Sequence, residues 1–317
     1  MLQKHRTPTR PYRFVLLPAV VLLCLVGCAV TTVETTKASL GRPVTEAEML
    51  RALSQPGPIR FTKEIAGTWQ VPLSGLLNLD HPKAKSAGLE DRDEPIEIYV
   101  YGLQHPTAGS FIVDSGLAES FREPKTDRSL SAIVKSVMNT NTLVTRTTTR
   151  EFMWALNGID GVFLTHLHID HILGLLDIPS AVPVYVGPGD AQLSSFTHLF
   201  TQGSTDRLLG NVDQLHEWQF VDTRFLDLFG DGSLFAILAP GHTPGTVVYL
   251  ANTTTGWQLM IGDLTHTRWG WQNTVEPGTY SHDQKASAAS LGFIKRLAAK
   301  LPGVHVHPGH QSLPPAA

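Results

Sequence analysis

The sequence predicts a single domain of mixed α and β elements, and three observations carry that reading. Short apolar runs of strand length recur along the chain, and an amphipathic stretch of helical period follows near its end. No repeat, low-complexity tract or linker divides the chain beyond residue 28. With 42% hydrophobic and 17% charged residues, 317 residues carry enough apolar side chains for a sizeable core. The formal net charge of -3 supplies no positive field, which argues against a nucleic-acid partner.

The first residues have the layout of a secretory signal, expected over residues 1–27. Lys4, Arg6, Arg10 and Arg13 precede an apolar run over residues 14–26, which is short for a membrane span of about 20 residues. The run ends in Leu25-Val26-Gly27-Cys28, which resembles the lipobox of bacterial lipoproteins. That resemblance implies cleavage before Cys28, acylation of its sulfur and amine with palmitate-type chains, and a membrane-anchored exported protein. Ala29 in place of Asp implies the outer membrane, on its periplasmic or surface side. An uncleaved anchor helix is the alternative. Cys24 and Cys28 are the only cysteines, so the body of the chain has no thiolate metal site.

Residues 28–45 read as a tether and residues 46–317 as the folded domain. Thr45 and Glu48 form a capping box that starts a short helix, and Pro56-Gly57-Pro58 stops it. Residues 96–103 and 110–113 read as strands paired around a His-Pro-Thr-Ala-Gly turn. Further strands are expected at 162–165, 182–186, 234–238, 247–250, 258–261 and 304–306. A helix over 287–301 carries Leu291, Ile294, Leu297, Ala298 and Leu301 on one face, and Pro302-Gly303 ends it. Residues 122–150, with a helix around 130–138, and residues 192–223 read as elaborations of this frame.

Histidine is the residue whose placement matters. Thr165-His166-Leu167-His168-Ile169-Asp170-His171 follows an apolar strand, and alternation along an extended segment aims His166, His168 and Asp170 to one side. A helix starting near His171 would turn that ring toward the same region. Three imidazoles and a carboxylate packed together repel when protonated and are left unsatisfied when buried, unless a cation is present. Imidazole and carboxylate suit zinc, and also iron, manganese or cobalt. Three more apolar runs end in Gly and a ligand type: Gly241-His242, Gly262-Asp263 and Gly309-His310.

His166-x-His168-x-Asp170-His171, Gly241-His242-Thr243-Pro244-Gly245, Gly262-Asp263 and Pro308-Gly309-His310 together resemble the signature of the metallo-β-lactamase superfamily. The order matches over about residues 59–312, and the resemblance implies an αββα four-layer sandwich with the active site at one edge between the sheets. It implies two divalent ions, zinc first among them. His166, His168 and His242 would hold one, Asp170, His171 and His310 the other, and Asp263 would bridge them. Asp114 resembles the family's early strand-end Asp-x-Gly, which braces the site without binding metal. His305 and His307 alternate on a strand and read as packing residues.

Two such ions can share a water, lower its pKa and polarise a substrate carbonyl or phosphoryl oxygen. Asp170 would then orient the nucleophile and pass a proton. No Gly-x-Ser-x-Gly elbow is present, which agrees with a hydroxide mechanism. The branch resembled is that of lactonases and esterases, acyl-homoserine lactones among the substrates. Those lactonases often place Tyr three residues after the bridging Asp; here His266 stands there, a candidate oxyanion donor or proton shuttle, or else a solvent-facing loop residue. Trp269 and Trp271 would either wall the pocket or pack under the loop. The alternatives are a phosphotriester or phosphodiester hydrolase, which would want Lys or Arg near the metals, with Arg268 the nearest candidate, and a non-catalytic metal-binding surface lipoprotein.

Overall fold

The computed structural model describes residues 27–314, so the signal reading of residues 1–27 lies almost wholly outside the described residues. Two large sheets face each other. The eight-stranded sheet runs in the order Thr35–Lys37, Leu215–Glu217, Val184–Val186, Gly161–Phe163, Gly109–Val113, Asp93–His105, Arg60–Pro72 and Val144–Thr145. The six-stranded sheet runs His305–Pro308, Gly256–Gly262, Val247–Thr253, Leu234–Leu238, Phe225–Asp227 and Arg42–Val44.

Alternation along the strands sorts the side chains into three apolar layers. In Asp93–His105, Ile96, Ile98 and Val100 point to the outer helices, while Tyr99, Tyr101 and Leu103 point between the sheets. There they meet Leu234, Ala236, Tyr249 and Met260 of the second sheet, beside stacked Phe111 and Phe163 with ring centroids 4.9 Å apart. The third layer lies under helix Gln284–Ala299, whose Leu291, Ile294 and Leu297 cover Ile237, Leu250 and Ile261. Each such buried side chain contributes about 1.5–3 kcal/mol relative to leaving it in water. Helix, sheet, sheet and helix are therefore stacked as the αββα sandwich requires.

The helix expected after Thr45 is Glu46–Ala52, and both halves of its capping box are formed. The strands expected from apolar runs all occur, with Gln284–Ala299 and Ala132–Val137 as the two expected helices. The tether reading of residues 28–45 needs correction. Thr35–Lys37 pairs in parallel with Leu215–Glu217, and Arg42–Val44 pairs antiparallel with Phe225–Asp227. Both are edge strands, where polar side chains and a proline are tolerated, so no alternation marked them in the sequence. Strand Arg60–Pro72 was also not expected, because a bulge between Ile65 and Gly67 shifts its register midway.

Candidate metal centre

The seven residues expected to bind metal come from strand ends and meet at one edge between the sheets. His166 follows strand Gly161–Phe163, and His168 is the residue at which helix Ile169–Ile172 begins. Asp170 lies inside that helix, not on an extended segment, and it groups with His171 and His310 instead of His166 and His168. Asp263 follows Gly256–Gly262, and His310 follows His305–Pro308, the parallel neighbour of that strand. Gly309 is required here, because a Cβ at that position would collide with Oδ1 of Asp263.

Two groups result, and Asp263 belongs to both. His166, His168, His242 and Asp263 form one, and Asp170, His171, Asp263 and His310 the other, with ligand-type atoms within 4.8 Å of one another in each. Nε2 of His242 lies 3.1 Å from Nε2 of His166 and 2.8 Å from Nδ1 of His168. Oδ2 of Asp263 lies 3.3 Å from Nε2 of His171 and 3.4 Å from Nε2 of His242, while its Oδ1 lies 3.3 Å from Nε2 of His310.

The far sides of the rings are held by hydrogen bonds that decide which nitrogen faces inward. Nδ1 of His310 donates to the Glu97 carbonyl at 2.9 Å. Nδ1 of His171 lies 2.8 Å from Oδ2 of Asp114, whose Oδ1 accepts from the Thr165 amide at 2.8 Å. Asp114 thus braces the site from behind, in a left-handed backbone conformation with φ 55°.

Electrostatics divide the two groups. Burial, aided by neighbouring rings, holds His166 and His242 well below the usual imidazole range, and burial pushes His168 down to about 4. Their inward nitrogens are therefore bare lone pairs. In the other group burial works against charge, yet the carboxylates of Asp114, Asp263 and Asp170 hold His171 well above its ordinary value. Asp263 and Asp170 likewise overcome burial to raise His310 to about 10. Burial opposes ionisation of Asp170 and Asp263 as well, but the surrounding imidazoles hold both carboxyls low. Nε2 of His171, Oδ1 of Asp263 and Nε2 of His266 are buried without a hydrogen-bond partner. Facing lone pairs, ionised carboxylates and orphaned buried nitrogens fit divalent cations.

A family model described as the metallo-beta-lactamase superfamily matches residues 92–254, just over half of the chain. The chain belongs to the metallo-β-lactamase superfamily. It has the fold of that superfamily. Among similar proteins, the gamma-lactamase FDB1 of Fusarium pseudograminearum is 29% identical over 123 residues, covering 35% of this chain and 30% of its own length. The N-acyl homoserine lactonase AttM of Agrobacterium fabrum is 29% identical over 126 residues, covering 37% of this chain and 45% of its own. The chain thus spans less than half the length of these two relatives. A B. thuringiensis AiiA variant solved with N-decanoyl-L-homoserine bound at its active site superposes with TM-score 0.57 at 14% identity, over 81% of this chain and 94% of that one.

Two further residues that sequence reasoning missed lie at this metallo-β-lactamase-fold site. Asp190 is fully buried behind the loops that carry the histidines. Its Oδ1 accepts from the Gly245 amide at 2.7 Å, and its Oδ2 accepts from the Leu167 amide at 3.2 Å. It therefore ties the His166–His168 loop to the loop after His242, and burial pushes its carboxyl up to about 7. Its position after strand Val184–Val186, in Gly187-Pro188-Gly189-Asp190, repeats the pattern of strand, glycine and acid that marked Asp263. Tyr280 is the second. Its ring rests on Gly75, where any side chain would collide with it, and its centroid lies 6.3 Å from that of His266.

His266 is buried and faces the cluster, not solvent. Its Nδ1 donates to the Leu76 carbonyl at 2.9 Å, and its Nε2 lies 3.0 Å from Oδ2 of Asp263. Trp269 and Trp271 pack against the cores rather than lining the cavity. His307 packs near Phe61 and bonds Gln258 at 2.8 Å. Arg268 points to the chain end, donating to the Ser312 carbonyl at 2.9 Å.

A cavity of about 340 Å³ opens over the centre, with Asp170, Asp263, His266 and His310 at its floor. Its walls are Trp69, Val71, Leu76, Ile96, Met138 and Leu167. Among the described residues no Lys or Arg lines it. Both elaborations contribute to its outer wall, Val137 and Met138 from one and Thr197, His198 and Thr201 from the other.

Proposed function

We propose that the protein hydrolyses lactones or small esters with an apolar acyl chain, acyl-homoserine lactones among them, using two zinc ions. The observation that carries this reading is the cavity: apolar walls without a cation, closing on a floor of carboxylates and imidazoles. A phosphodiester site would need positive side chains for its charged oxygens.

His166, His168 and His242 would hold one ion, Asp170, His171 and His310 the second, and Asp263 would reach both. When bound, the ions supply hydroxide at neutral pH and polarise the carbonyl. The chain does the rest. Apolar walls orient the acyl chain and exclude water from the floor. The Tyr280 hydroxyl, which makes no hydrogen bond among the described residues, donates to the carbonyl oxygen as charge develops on it. Burial, with Asp170, Asp91 and Asp93, pushes the Tyr280 phenol up to about 12, so it keeps its proton at neutral pH. His266 carries a proton at Nε2 for the leaving alkoxide, and Asp170 orients the nucleophile. The oxygen of water joins the carbonyl carbon, the acyl C–O bond breaks, and the alkoxide takes the proton.

The test is zinc content by elemental analysis, beside turnover of a lactone, an aryl ester and a phosphotriester. Close to two zinc per chain, lactone preference and loss of both in Asp263→Ala are expected. Chains that take up no metal under any loading, or that prefer the phosphotriester, would overturn the reading.

A further inference from the structure

We propose that the apolar surface of Phe196, Leu199 and Phe200, continued by Ile133 and Val137, seats on a lipid bilayer. It turns the mouth of the cavity toward the membrane, so the site draws long-chain acyl substrates from lipid. The substrate clause rests on the hydrolase reading above; the seating clause does not.

Helix His198–Leu208 is built the wrong way round for a helix covering a core. Its buried residues are Ser204, Thr205 and Leu208, while Leu199 and Phe200 in its first turn face water. Phe196, Leu199 and Phe200 leave between 44% and 63% of their surface exposed, and the two Phe rings meet edge to face at 5.8 Å. On the neighbouring helix Ala132–Val137, Val134 is buried, while Ile133 and Val137, one turn apart, are exposed. The two helices are joined where the Ser131 amide donates to Ser204 Oγ at 3.0 Å. Single exposed apolar residues need no explanation, but a cluster of five does.

The chain itself indicates what covers them. Cys28, the residue expected to carry lipid, pairs antiparallel with Ser195, and Ala29 with Ser194. Gln202 donates to the Ala29 carbonyl at 3.0 Å, and the Thr32 amide donates to Asp206 at 2.8 Å. Residues 28–32 are therefore strapped along the helix that begins beside Phe196. In the sequence the apolar run 14–26 directly precedes this point. An acyl chain on Cys28 would leave the fold next to the aromatic cluster, and a bilayer reached by that chain meets the cluster too.

The same corner holds the entrance to the cavity. Val30, two residues from Cys28, lines it, as do Thr197 and Val137, which are interleaved with the exposed apolar residues. Among the described residues no helix is long and apolar enough to cross a membrane. An acyl tail resting in the bilayer would slide along Val30, Val137 and Met138 while its ester or lactone head reaches Asp170 and Asp263.

The test uses the full-length acylated chain in vesicles of phosphatidylethanolamine and phosphatidylglycerol. Phe196→Trp adds an emission that brominated lipid should quench, read as the difference from the parent. Phe196→Ser/Leu199→Ser/Phe200→Ser should lose about fivefold or more of the rate on a vesicle-borne decanoyl lactone, since seating scales with buried apolar area. Its rate on a water-soluble butanoyl lactone should stay that of the parent. No quenching by the brominated lipid would overturn the seating. Equal losses on both lactones would overturn the lipid-phase substrate. If neither lactone turns over, the hydrolase reading fails, and the quenching still decides the membrane face.

Discussion

Nε2 of His266 lies 3.0 Å from Oδ2 of Asp263, although Nδ1 of the same ring already gives its hydrogen to the Leu76 carbonyl. A neutral His266 therefore aims a lone pair at a carboxylate, and the pair is favourable only with a proton or cation between them. In the hydrolysis proposed above, that proton is the one given to the leaving alkoxide.

His266→Gln keeps a polar side chain of similar reach but cannot exchange that proton. Turnover of alkyl lactones should fall about 100-fold, the usual scale of a lost general acid. Zinc content should not change. Aryl esters, whose leaving groups depart without a proton, should lose far less. Equal losses for alkyl and aryl leaving groups would mean that His266 only props the site.

Metal uptake should release protons. In the metal-free chain, His310 stays charged up to about pH 10, and His171 is raised by Asp114, Asp263 and Asp170. A divalent ion needs the neutral rings, so binding at neutral pH should expel about two protons per chain. Zinc affinity should then climb as pH rises toward 10 and weaken in acid. Calorimetric titration in buffers of different ionisation heat counts the protons, and heats independent of buffer would sink the prediction. The sign for stability is opposite. Both histidines have folded pKa values above the unfolded one of about 6.5, so they stabilise the metal-free chain below that pH. That contribution is lost as pH rises through the folded values, and the metal-free Tm should fall accordingly.

Asp190 holds two loops together through its two oxygens, one on Gly245 and one on Leu167. Asp190→Asn sets an NH₂ against one of those amides. Zinc affinity should drop about 10–100-fold, as for other groups that orient ligands from behind. Competition with a chelator measures it. Unchanged affinity would show that the loops hold their ligands without this brace.

How much of this the sequence discloses depends on where the physical constraint is local. The residues of the two groups were legible because His166, His242, Asp263 and His310 follow apolar strands and because His and Asp packed in such number need a cation. Asp190 also follows a strand and glycines, but it stands alone in its segment, and its partners are backbone amides with no sequence signature. Tyr280 lies 14 residues beyond His266 in a turn-rich segment, and only folding over Gly75 brings it to the site. Helix His198–Leu208 escaped notice because its inward face is Ser and Thr and its apolar residues point out. The edge strands at Thr35–Lys37 and Arg42–Val44 are held by backbone hydrogen bonds, to which side-chain patterns are blind.

Tyr280 offers the most direct check of how the cavity handles developing negative charge. Its ring is pinned by Gly75 and its hydroxyl makes no hydrogen bond among the described residues, while the phenol stays protonated up to about 12. A donor that acts only on the charged oxygen lowers kcat when removed and leaves substrate binding almost untouched. Tyr280→Phe should cut kcat about 10–100-fold, at or below the usual cost of losing an oxyanion donor, with KM within about twofold. The rate should show no new pH dependence between 6 and 9, because the phenol does not titrate there. Gly75→Ala should push the ring aside and reproduce the loss with the hydroxyl still present. A Tyr280→Phe enzyme with raised KM and intact kcat would instead make the tyrosine part of the cavity wall, and the donor to the carbonyl oxygen would have to be sought at His266.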